Sequence, residues 1–102
     1  MSSEFARIAQ IEAVLRRESR EVSLSIGDDC AVLAPSDKPR VWTVDTAVQG
    51  VHFSRDYMAL EDDAARAFSA AVSDVAAMGG RCVAALSALI LPSTFSDPEL
   101  EQ

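Results

Sequence analysis

Histidine occurs once in this 102-residue chain, cysteine twice, tryptophan and tyrosine once each, glycine and proline four times apiece. The two cysteines, Cys30 and Cys82, lie far apart in apolar runs and give neither a disulfide framework nor the close spacing of a zinc site. They read as reduced, buried thiols of a cytoplasmic protein. No run of eighteen apolar residues exists, so no membrane span is expected. The start lacks the basic region and apolar block of a signal peptide. Basic residues number nine against sixteen acidic ones, for a net charge of −7. That balance speaks against nucleic acid or an anionic membrane as the main partner. Also missing are a G-x-x-x-x-G-K-[ST] loop, a G-x-G-x-x-G turn, the protein-kinase motif set and an EF-hand. Any phosphate chemistry here needs another scaffold.

What is present suffices for a folded domain: 49% hydrophobic and 25% charged residues, within the ordinary range. A first helix is expected from a Ser3 cap, Glu4 in its first turn, and a stripe of Phe5, Ile8, Ile11 and Leu15. From Val22 the period changes to two, predicting a strand through Ile26; Gly27 breaks it, and a second strand runs from Cys30 to Ala34. The turn residues of Pro35–Pro39 lead to a third strand, Val41–Val48, then a loop from Gly50 to Leu60. A helix from about Glu61 to Met78 follows, with Glu61, Asp62 and Asp63 in its first turn and Gly79-Gly80 as a left-handed stop. Cys82–Leu91 reads as a last, doubly covered strand. Ser96, Pro98 and Glu99 form a capping box for a helix that the chain end cuts short. The fold class expected is α+β, a mixed or antiparallel sheet packed against helices. Residues 1–102 are expected to be one incomplete N-terminal domain, its C-terminal domain absent.

Four aspartates carry the chemistry. "SIGDDCAVL", "TVDTAVQGVHF" and "AVSDVAAMGG" place Asp28, Asp29, Asp45 and Asp74 among apolar or small residues, where a carboxylate is costly unless a cation or several donors compensate it. Gly27-Asp28 alone would be ordinary turn chemistry, but adjacent carboxylates repel unless something positive sits beside them. Asp45 stands in a strand that disfavours Asp. Asp74 lies near the negative end of its helix dipole, where a carboxylate gains nothing; an exposed stripe with Ser73 and Arg66 or Arg81 is the competing reading. Oxygen donors without His or Cys suit Mg²⁺, which shares its shell with water and substrate phosphates. A nucleotide or phosphate ester bridged by metal to Asp29, Asp45 and Asp74 is therefore the expectation. The lone His52 could be solvated, a substrate contact or a proton carrier.

At these three blocks the chain resembles the N-terminal part of the thiamine-monophosphate kinases, within the aminoimidazole ribonucleotide synthetase-like ATP-binding superfamily. "IGDDCAVL", "DTAVQGVHF" and "SDVAAMGG" are similar to that family's G-D-D, D-T-x-V-x-G-x-H-F and S-D-x-A-A-M-G motifs, in order. The "GVHF" element sets the family apart within the superfamily. The resemblance implies ATP-dependent phosphorylation of thiamine monophosphate to thiamine diphosphate with Mg²⁺, in a homodimer whose N-terminal sheets pair into a barrel. It implies Asp29, Thr43, Asp45 and Asp74 as metal ligands, Asp28 in support, and His52 against the thiamine phosphate. No protein nucleophile is implied. Val44 stands where the family usually has Thr or Ser, and Arg66 and Ala71 where it commonly has Lys and Asn. The isolated chain is expected to be inactive or weak. The alternatives are a non-catalytic nucleotide- or metal-binding or dimerisation module, or another ATP-dependent enzyme of the superfamily.

Overall fold

The computed structural model describes residues 3–102. Its regular elements are α1 (Glu4–Leu15), β1 (Val22–Leu24), β2 (Val32–Leu33), α2 (Leu60–Ala77) and α3 (Asp97–Leu100). The fold is α+β, with β1 and β2 as a two-stranded antiparallel sheet. The chain forms two compact units: Met1–Asp37 with Val83–Gln102, and Lys38–Cys82.

In the first unit, α1 starts where expected. The Ser3 hydroxyl accepts from the Ala6 amide at 3.2 Å, satisfying one of the amides that a helix start leaves over. β1 and β2 pair Val22 with Leu33 and Leu24 with Val32, with an irregularity between them. Both strands are shorter than their alternating patterns. The connection bends at Gly27, whose φ of 115° suits glycine; a Cβ there would meet the Glu12 carboxylate at 3.1 Å. α3 is tied to α1 by polar side chains. Arg7 Nη2 donates to the Phe95 carbonyl at 2.6 Å, Arg7 Nε lies 3.3 Å from Asp97 Oδ1, and Gln10 donates to the Asp97 carbonyl at 2.7 Å. At the start of α3 the Ser96 amide and hydroxyl donate to Glu99 Oε2 at 2.8 and 2.9 Å, the expected capping box. Phe95 beside it is the buried apolar residue among the described residues of this unit.

The second unit is built around α2, which spans the predicted helix to within a residue at each end. Its stop is local chemistry. Gly79, at φ 72°, donates to the Ala76 carbonyl at 2.9 Å, and Gly80 donates to Val75 at 3.0 Å, the two bonds of a Schellman turn. A Cβ on Gly80 would come within 3.0 Å of Val75 Cγ1 and 3.2 Å of Val41 Cγ2, so a bare residue is needed there.

Two expected strands are not formed. Residues 41–48 and 82–91 carry no strand, and Trp42, Val44, Leu86 and Ile90 are exposed. A strand exists only as a partner in a hydrogen-bonded ladder, and among the described residues no strand runs beside either segment. Cys82, expected to be buried in such a strand, is exposed for the same reason, and Cys30, which precedes β2, is exposed as well. The accessible surface is 8339 Å², against ~5,600 Å² for a folded monomer of this mass by the surface–mass scaling.

Candidate functional site

Four of the residues singled out by sequence lie in the second unit, and the structure groups them in two places. The first is a pair: the Thr43 hydroxyl donates to Asp74 Oδ2 at 3.4 Å. Thr43 is half-buried and Asp74 exposed, so Asp74 stands on the open face of α2 with a hydroxyl beside it. The second is a cavity of about 420 Å³ lined by Asp45, His52, Phe53, Asp63, Arg66 and Ala70, among others. That volume is within the range of small-molecule sites.

Asp45 is exposed and stands in irregular chain rather than in the strand expected for it. Its Oδ1 accepts from the next amide, Thr46, at 2.9 Å, which orients the carboxylate and leaves Oδ2 for a ligand. His52 is held by a tight loop. Its amide donates to the Val48 carbonyl at 2.8 Å, and its Nδ1 accepts from the Val48 amide at 3.0 Å. In the neutral ring the proton then resides on Nε2, which remains to donate. Gly50, at φ 82°, and the bond from its amide to the Phe53 carbonyl at 2.8 Å close the loop.

Asp28 and Asp29 belong to the other unit, in the connection between β1 and β2, and both are exposed. The Asp29 amide donates to Asp28 Oδ1 at 2.8 Å, the bond a turn aspartate makes. Among the described residues no three His, Cys, Asp or Glu side chains gather into a metal cage.

Sequence reasoning placed Asp63 simply among the acids that start α2. The structure shows it to be the one charged residue buried among the described residues, with 5% of its surface exposed. Neither carboxylate oxygen has a hydrogen-bond partner. The signal was available: Leu60, Asp63, Ala67, Ala71 and Val75 recur at helical spacing along the half-buried face of α2, while Glu61 and Asp62 point to solvent. The acidic cluster hid the one member that faces inward.

Comparison with known proteins adds a family. Residues 27–102 match the family described as "AIR synthase related protein, N-terminal domain". The chain is similar to curated proteins named thiamine-monophosphate kinase. It is 37% identical to that of Bacillus subtilis (strain 168) over 81 residues, covering 78% of this chain and 25% of the relative. It is 39% identical to that of Escherichia coli (strain K12) over 90 residues, covering 87% and 27%. For Haemophilus influenzae the identity is 41% over 83 residues, covering 74% and 25%. The chain thus spans about a quarter of the length of these relatives. No solved structure matches it.

Proposed function

The chain belongs to the AIR synthase related family, N-terminal domain, and from that premise we propose that it is the nucleotide- and metal-binding front part of an enzyme that phosphorylates thiamine monophosphate from ATP. The observation that carries the reading is the oxygen pair of Thr43 and Asp74, 3.4 Å apart. Two of the three motif blocks, thirty-one residues apart in the chain, thereby supply adjoining donors. In the same unit Asp45 and His52, both from the middle block, line a cavity of ligand size.

Thr43, Asp45 and Asp74 offer oxygen atoms, the donor chemistry that suits Mg²⁺ held by one or two carboxylates and completed by water and phosphate. Their oxygen chemistry suits that ion, although the pair of Thr43 with Asp74 and the cavity that Asp45 lines are separate places in the unit. When bound, magnesium supplies charge neutralisation between carboxylates and phosphates; at ~4 Å and an effective dielectric of ~20, each unscreened pair repels by about 4 kcal/mol. The chain's own residues do the positioning. Thr43 sets the orientation of Asp74, Thr46 that of Asp45, and Val48 holds His52 with Nε2 available to a phosphate oxygen. Asp29, with Asp28 in support, is proposed as a metal ligand on the strength of its motif alone. Catalysis then rests on in-line placement and electrostatics, with no nucleophile from the protein. We place the enzyme in the cytoplasm; pairing into a homodimer through this domain is a reading supported by the exposed Trp42 and Val44 on a segment with strand composition and no ladder partner among the described residues.

The test is calorimetric titration of Mg-ATP into the protein and its Asp74→Asn variant, with Asp37→Asn as control. Binding weakened at least tenfold in Asp74→Asn alone is expected. Equal affinity in all three proteins removes Asp74 from the site.

A further inference from the structure

We propose that Arg66 is a specificity-determining residue of the cavity beside α2, the positive charge by which that cavity selects a phosphate monoester over the same molecule without its phosphate. This deepens the substrate reading above and rests on it, the phosphate being that of thiamine monophosphate.

Asp63, Arg66, Ala67 and Ala70 all line the cavity, and their helical spacing makes one face of α2 its wall. The rest of the lining comes from residues 45–53, His52 among them. Arg66 is the one permanent cation among the described residues that line it. Its side chain is exposed, and no ion pair or hydrogen bond ties it to another described residue. Even Asp62, four residues earlier and suitably spaced for a helical ion pair, does not hold it. The guanidinium is thus uncommitted beside a space of ligand size.

An anion entering that space meets the exposed carboxylate of Asp45, which the Thr46 amide fixes in place. His52 offsets the carboxylate only as a dipole, since its neutral ring has a single N–H to give, at Nε2. A full charge is needed, and Arg66 brings one on a planar fork of donors that matches phosphate oxygens. Val51, Phe53, Ala67 and Ala70 make much of the remaining wall apolar, and such a wall receives a ring with or without its phosphate. Discrimination between the two therefore falls to Arg66.

Thiamine monophosphate and thiamine are titrated calorimetrically into wild type, Arg66→Gln and Arg66→Lys with EDTA present, so that no divalent cation supplies the charge. Arg66 is exposed, so all three proteins should fold alike, which circular dichroism checks. The expected result is at least tenfold tighter binding of the monophosphate by wild type, falling to within threefold in Arg66→Gln and recovering above threefold in Arg66→Lys. A preference that survives in Arg66→Gln overturns the proposal, as does its absence from wild type or from Arg66→Lys. Mg-ATP titration of the same proteins tells whose phosphate is read. A tenfold loss of nucleotide affinity in Arg66→Gln gives the guanidinium to the nucleotide and overturns the proposal as well. The substrate reading is judged separately with Mg²⁺ restored. Monophosphate binding by wild type then leaves it standing whatever becomes of Arg66, whereas binding of neither thiamine compound removes it together with the proposal.

Discussion

Replacing Asp63 by leucine should stabilise this protein, against the usual direction for a substitution at a 5% exposed position. The native carboxylate has no hydrogen-bond partner on either oxygen, and an unsatisfied buried polar group costs roughly 1–3 kcal/mol, more when charged. Leucine removes that cost and, fully buried, adds about 1.5–3 kcal/mol of apolar transfer. Two effects oppose it. An acid near the start of α2 is favoured by the helix dipole by roughly 0.3–1 kcal/mol, and leucine is the larger side chain, although the adjoining cavity gives it room. A net gain of about 2 kcal/mol follows, a rise of about 10 °C in Tm at the usual sensitivity of a domain this size. Differential scanning calorimetry and urea titration measure it, with Asp62→Leu on the exposed side of the same turn as control, expected within about 0.5 kcal/mol of wild type. A fall in Tm for Asp63→Leu would show that Asp63 has a partner in the folded protein, and the reasoning about its burial would be wrong.

Other perturbations follow from single contacts. Gly79→Ala forces a Cβ into the left-handed region at φ 72° and should cost about 1–2 kcal/mol, read as a lower urea midpoint. Arg7→Ala removes the charged donor that contacts the Phe95 carbonyl at 2.6 Å; about 1–3 kcal/mol is expected, with faster amide exchange in α3. Ser96→Ala removes the hydroxyl from the capping box and should cost about 1 kcal/mol, confined to α3 in the same exchange experiment. Under the proposed function, His52→Ala in the full-length enzyme should raise KM for thiamine monophosphate. An unaltered KM would place His52 outside the substrate site.

What was legible in the sequence follows the range of the forces involved. The starts and stops of the helices depend on residues three or four apart, so Ser3, Gly79 with Gly80, and Ser96 with Glu99 could be read directly, and each makes the expected bond. Asp45 and Asp74 stood out in the sequence because an aspartate is odd for their surroundings, whereas Thr43 and His52 were named by the family resemblance. Strand content was over-read. Val41–Val48 and Cys82–Leu91 have the composition of strands, but pairing requires a second segment at ~4.8 Å, which composition cannot supply.

Asp63 marks the boundary between local and non-local information. In the chain it is the third of three acids opening a helix, chemically equivalent to Glu61 and Asp62. Only the packing of α2 turns that one side chain inward and shuts its oxygens from water. The order of residues determined the helices, their caps and the oxygen-donor character of the motif blocks, since those depend on neighbours along the backbone. Which carboxylate was desolvated, and which hydroxyl came to rest beside Asp74, depended on segments distant in the chain meeting in space, and so was decided by tertiary structure alone.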